Sequence, residues 1–146
     1  MRSVLVPVDG SDNSMRAVEE ACRQIDRRQP VTVHLLNVQP PNHSAVVRKY
    51  LSQDLIDQFH QQEGEAALQA ARARLDDAGI ACTSRVEVGD VAQSIARYAH
   101  EMRCDQVIMG TRGLGAGGVA ALSGLLLGSI ATKVLHLVDV PVTLVK

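Results

Sequence analysis

Gly110-Thr-Arg-Gly113 and, after a long uncharged stretch of glycine, alanine and leucine, Gly128-Ser129 are the residues whose types and spacing suit chemistry best. They follow an apolar run, Val107-Ile-Met109, and lead into a short helical pattern. Glycine lets a backbone come close to a ligand, and the start of a helix aims unpaired N–H groups outward. Binding of a phosphate or another anion is the chemistry that follows. Two common phosphate motifs fit poorly. A P-loop needs G-x-x-x-x-G-K-S/T, yet no lysine follows a glycine here, and Lys133 comes after Thr132. Gly113-Leu-Gly115-Ala-Gly-Gly118 does spell G-x-G-x-x-G. A dinucleotide fingerprint stands after the first strand of its fold, however, and this one follows the fourth, so the match is read as accidental.

Other reactive side chains are not arranged for catalysis. His34, His43, His60, His100 and His136 have neither H-x-x-x-H nor H-E-x-x-H spacing, and Ser11, Ser14 and Ser129 lack the G-x-S-x-G elbow of a hydrolase. No catalytic residue and no metal ligand is assigned. Cys22, Cys82 and Cys104 are odd in number without C-x-x-C spacing, which reads as reduced, buried thiols in a cytoplasmic protein.

The elements that must position the glycines alternate in type. Ser3–Val8 reads as a buried strand ending at Asp9, with Pro7 tolerated near its end. Gly10-Ser-Asp12 supplies turn and cap residues for a helix from Asn13 to Arg27, whose apolar face is Ala17, Val18, Ala21, Cys22 and Ile25. Val31–Val38 is a second strand, nearly continuous in apolar character. A loop through Pro40-Pro41 leads to a long helix from about Ser52 to Ala78, stopped by Gly79. Ala81–Val88 is a third strand, Gly89-Asp90 caps a helix from Val91 to about Met102, and Gln106–Met109 is a fourth strand. Ser129–Leu137 is a helix and Val140–Val145 a last strand.

Alternation of this kind implies right-handed crossovers and a parallel sheet covered on both faces. Five strands and four helices fit an α/β, doubly wound domain, Rossmann-like or flavodoxin-like, with strand order 3-2-1-4-5. Strands 1 and 4 then diverge at a switch point, and ligands bind there, at the strands' carboxyl ends. Asp9 and Gly110 both fall at that place. A length of 146 residues suits one domain over 1–146. Net charge is −1 with no basic block, which argues against a nucleic-acid partner, and one Phe, two Tyr and no Trp leave little for stacking bases. Gly113 through Thr132 carries no charge, but its six glycines argue against a membrane-spanning helix, and the apolar part of Met1–Asp9 is too short for a signal peptide.

Four pieces in order, V-P-V-D-G-S at 6–11, V-I-M-G-T-R-G-L-G at 107–115, L-L-L-G-S-I-A-T-K-V-L at 125–135 and the final P-V-T-L-V, give the chain an end-to-end resemblance to the universal stress protein family. The family is doubly wound and usually dimeric; some branches bind ATP through G, two residues, G, nine residues, G and Ser/Thr, and others lack that motif. The resemblance implies an adenine-nucleotide site. Pro7, Val8 and Asp9 would close strand 1, with Asp9 meeting the adenine or ribose. Val38 would offer its main chain to the adenine edge. Met109, Gly110 and Gly113 would lie along ribose and phosphates, and Gly128, Ser129 and the Ile130 amide would hold the phosphates. Arg112 and Lys133 are the nearby cations.

The chain departs from the motif, since 14 residues rather than nine separate Gly113 from Gly128. The surplus around Gly117–Ser123 reads as an enlarged lid. Simpler roles stay open: Asp9 as the cap of the first helix, Gly110 and Gly113 as turn residues, Ser129 as a cap. Three functions follow. The first is a cytoplasmic ATP-binding regulatory protein of universal stress type, a nucleotide-dependent switch. The second is a slow ATP hydrolase on the same site. The third is a nucleotide-free interaction module. ATP, ADP and AMP are all admissible ligands, as is an accompanying Mg2+. In each case Val140–Val145 lies at the sheet edge and is expected to pair with a second copy in a homodimer, with an unknown regulatory protein as partner and no membrane.

Overall fold

The computed structural model of the chain describes residues 2–41, 45–112 and 127–146. Among these, five strands form one sheet: β1 (Ser3–Pro7), β2 (Thr32–Gln39), β3 (Ala81–Val88), β4 (Gln106–Gly110) and β5 (Val142–Val145). All neighbours pair in parallel, in the order β3-β2-β1-β4-β5 expected from the sequence. The helices are α1 (Asp12–Gln24), α2 (Ala45–Tyr50), α3 (Gln53–Asp77), α4 (Val91–Glu101) and α5 (Ser129–Leu137). The expectation of four helices is corrected by α2. Its six residues bury no side chain, so no periodic apolar face announces it. The last strand begins at Val142 rather than Val140, and α1 ends at Gln24 rather than Arg27. Gly113, the accidental G-x-G-x-x-G and the lid around Gly117–Ser123 lie outside the described residues.

Alternation along the strands sorts their side chains into two cores. Val4, Val6, Val8, Val33, Leu35 and Ile108 face α1 and α3, where Ala17, Val18, Ala21, Leu68, Ala71 and Leu75 meet them. Leu5, Leu36, Val38, Val107 and Met109 face α4 and α5, against Ala92, Ile95, Ala99, Ala131 and Val134. Burial on both faces is why β1, β2 and β4 read as continuous apolar runs, whereas β3, at the edge, alternates exposed and half-buried positions. The cysteines fit the same picture: burial raises the Cys22 and Cys82 thiols and pushes Cys104 up to about 11.

Proline is out of place in a central strand because it cannot donate to the ladder. Pro7 escapes the penalty. Ser3 accepts from Asp105 and Val8 donates to Leu36, so odd residues of β1 face β4 and even ones face β2. Pairing of β1 with β4 is confined to Val4 and Leu5. The donor that Pro7 lacks would therefore point where the two strands have already parted.

Two helix ends use the same left-handed turn. At the end of α3, Gly79 has φ +70° and Ile80 donates back to Leu75. At the end of α4, Arg103 has φ +50° and Cys104 donates back to Ala99 at 2.9 Å. Glycine adopts this conformation freely and arginine does not. Arg103→Gly should therefore raise stability by about 0.5–1 kcal/mol, the strain released less the extra entropy of an unfolded glycine. A urea midpoint that falls instead would show that the Arg103 side chain stabilises the turn.

Gly64 sits in mid-helix, where glycine costs about 1 kcal/mol relative to alanine. A Cβ there would stand 2.4 and 2.5 Å from the two Val86 methyls and 3.0 Å from Asn37 Oδ1. The glycine thus lets α3 settle onto β2 and β3. Gly64→Ala should lower the urea midpoint, because overpacking costs about 1–3 kcal/mol and outweighs the gain in helix propensity. A raised midpoint would mean that Val86 gives way freely.

Candidate functional site

Three of the described helices begin with a side-chain cap. Ser11 accepts from the Ser14 amide at the start of α1, Ser52 from Leu55 at α3, and Asp90 from Gln93 at α4. Asp9 is thus not the cap of α1; its Oδ1 accepts from the Ser11 amide at 2.9 Å and shapes the turn before it. Nor is Ser129 a cap. The N-cap of α5 is Gly128, which has no side chain to offer, so among the described residues no side chain caps α5. Thr132 donates to the Gly128 carbonyl through both its amide and its hydroxyl, and the Gly128 amide donates to Thr111 at 2.7 Å. These bonds hold the start of α5 in place.

Ile130, in the first turn of α5, borders a cleft of about 490 Å3 over the carboxyl ends of β1, β2 and β3. Asp9 and Asn37 line its floor, Val38, Gln39, Pro40 and Pro41 one wall, and Gly89, Asp90, Val91 and Ile130 the other. The volume falls within the roughly 300–1,000 Å3 of small-molecule sites. A larger hollow of about 680 Å3 lies at the amino-terminal ends of β4 and β5, beside Arg103 and Val138. In a doubly wound sheet the carboxyl ends carry the ligand, so the smaller cleft is the better candidate.

Of the residues singled out from the sequence, the cleft brings together Asp9, Val38 and Ile130. Pro7 and Val8 are buried beneath it. Leu36 presents its carbonyl to Val8, and alternation puts the N–H and C=O of Val38 on that same side, past the end of β1. Met109 is buried in the core under α4 and α5. Gly110 is buried, and a Cβ on it would come within 2.2 Å of Asn13 Oδ1. Arg112 is half-buried, Gly128 buried and Ser129 exposed at the start of α5. Gly113 lies outside the described residues.

Sequence reading missed Asn37, Gln39, Pro40, Pro41 and the Gly89–Val91 turn as cleft residues. Asn37, 2% exposed, donates from Nδ2 to the Val8 carbonyl at 2.8 Å and accepts from Gln39 Nε2, which braces the ends of β1 and β2. A polar residue inside the run Val33–Val38 is the signal that marked it. Among the described residues no three of His, Cys, Asp and Glu converge, and no helix is long and apolar enough to cross a membrane.

The universal stress protein family model matches residues 1–146. The chain belongs to the universal stress protein family. It is 27% identical over 145 residues to the universal stress protein MJ0531 of Methanocaldococcus jannaschii, covering 99% of this chain and 82% of that one. With YxiE of Bacillus subtilis it shares 27% over 153 residues, covering 98% and 97%. Among solved structures, MJ0577 superposes with a TM-score of 0.82 at 23% identity, covering 99% and 95%. A universal stress protein in complex with cAMP gives 0.70 at 23%, covering 99% and 97%. A family member from Arabidopsis thaliana with AMP bound gives 0.68 at 21%, covering 100% and 92%. These superpositions establish a shared fold.

The cap and the cleft carboxylate separate experimentally. Ser11→Ala should cost about 1 kcal/mol in urea unfolding, the usual loss of an N-cap. Asp9→Asn keeps an Oδ1 acceptor for the Ser11 amide and should stay within about 0.5 kcal/mol of wild type. The reverse order would make Asp9 the more important structural residue.

Proposed function

We infer that this chain binds an adenine nucleotide in the cleft over β1–β3 and acts as a dimeric, nucleotide-dependent switch of universal stress type. The observation that carries the reading is the uncapped start of α5 at the rim of an apolar cleft whose floor holds one carboxylate, Asp9. A helix start without a cap favours an anion, and phosphate oxygens accept from several amides at once. The purine lies between the Val38–Pro41 wall and the Val91 and Ile130 side chains. Its polar edge meets the main chain of Val38. Asp9 accepts from ribose hydroxyls, and the Ser129 and Ile130 amides hold the phosphates. The AMP and cAMP complexes of relatives with this fold support the choice of adenylate.

ATP is the ligand we favour, and an accompanying Mg2+ would be carried by its phosphates; ADP and AMP share every contact except those of the outer phosphates. As a switch, the chain needs a state that the nucleotide binds better. The surface that reads this state is the outer edge of β5. β5 pairs with β4 on one side, and a second copy laying its own last strand alongside would cover the other. A regulatory protein then distinguishes loaded from empty dimers in the cytoplasm.

Titration calorimetry with ATP, ADP and AMP should give saturable binding at one site per chain. Asp9→Ala should weaken all three by about 10–100-fold, the worth of a charge-assisted hydrogen bond. Sedimentation at micromolar concentration should give twice the 15.7 kDa of the chain. Absence of heat and of any melting shift at millimolar nucleotide would favour the nucleotide-free module instead.

A further inference from the structure

Asn13 is 6% exposed, at the second position of α1, and none of the cleft contacts uses it. Its carboxamide joins two segments far away in sequence. Oδ1 accepts from the Arg112 amide at 2.7 Å, and Nδ2 donates to the Val145 carbonyl at 3.0 Å. The same Val145 carbonyl accepts from the Thr111 amide at 2.8 Å, and the Thr111 carbonyl accepts from Gly128 at 2.7 Å. One buried side chain therefore closes a circuit running from the end of β5, through the root of the glycine-rich segment, to the start of α5. Gly110 is bare where this side chain lies: a Cβ would come within 2.2 Å of Oδ1 and 2.6 Å of Cγ.

In this space a carboxamide offers a donor to a carbonyl and an acceptor to an amide together. An apolar isostere would take the acceptor from the Arg112 amide and leave the Val145 carbonyl with Thr111 alone, and a carboxylate would set negative charge against that carbonyl. We propose that Asn13 is a positioning residue that couples the edge strand β5 to the phosphate end of the cleft, so that nucleotide binding and the state of the last strand each bias the other. The regulatory part rests on the nucleotide reading given above; the mechanical part rests on the hydrogen bonds alone. Where the nucleotide biases the last strand, linkage requires that the last strand bias nucleotide binding by the same factor.

The test is amide hydrogen exchange on full-length wild type and Asn13→Asp, with calorimetry on both. Asn13→Asp keeps an acceptor for Arg112 but loses the donor to Val145, so it should speed exchange at Thr111, which is bonded to Val145 and not to residue 13, by about tenfold or more relative to core amides such as Val107. It should weaken ATP binding by about tenfold or more, while Asn13→Asp remains folded by urea titration. Protonation of the new carboxyl would restore a donor towards the Val145 carbonyl, so protection of Thr111 in Asn13→Asp should recover as the pH falls. Wild type should show no such recovery. A second measurement needs no variant: saturating ATP should slow exchange at Leu144, Val145 and Lys146 in the wild-type chain. Unchanged exchange at Thr111, or equal acceleration everywhere, overturns the coupling. Unchanged ATP affinity in Asn13→Asp overturns its link to the cleft and leaves the nucleotide reading intact. If wild type binds no adenine nucleotide, that reading falls by itself, and exchange at Thr111 decides whether Asn13 couples strand to root.

Discussion

Burial of a parallel sheet on both faces governs what the rest of this molecule can do. The side chains of β1, β2 and β4 are committed to two cores, one under α1 and α3 and one under α4 and α5, and most of their backbone groups are committed to ladders. Polar surface survives where ladders end. β1 and β4 share only the Val4 and Leu5 pairings before they separate, and β2 runs on beyond the end of β1. The cleft is the geometric consequence of strands that stop at different heights.

Much of this was legible in advance because the signals were local and periodic. Apolar runs at Ser3–Val8 and Val31–Val38, and glycine or aspartate at Gly79 and Asp90, mark elements and ends that the coordinates reproduce. Strand order followed from alternation and handedness. What stayed hidden depended on contacts between distant segments. Whether Asp9 or Ser11 caps α1 turns on which of two similar acceptors reaches an amide, and residue type alone does not choose. Gly110 looked like a glycine kept bare for a ligand, yet the group that fills the space is Asn13. A signal existed: Asn13 lies four residues before Ala17 and eight before Ala21, on the apolar stripe of α1, and a polar residue at a core position asks for a partner. Gly64 carried the same kind of message, lying four residues before Leu68 on the buried face of α3.

Polar groups at the carboxyl end of the sheet are arranged as braces between strands. Asn37 ties β2 to Val8, Gln39 steadies Asn37, and Asn13 ties α1 to the end of β5 and to Arg112. Uncharged carboxamides suit this work because they donate and accept together and bring no charge into a space of low polarity. Negative charge at the cleft is left to Asp9 and Asp90, each already shaping a turn with one oxygen. Where α1, α3 and α4 begin at a serine or an aspartate, α5 begins at Gly128.

The three thiols lead elsewhere. Reactivity towards peroxides and disulfides belongs to the thiolate, and all three cysteines of this chain are held towards the protonated form by burial. For Cys104, near neutral pH, only about one molecule in ten thousand would carry the anion. Oxidants that act on thiolates therefore find little to react with at these three positions.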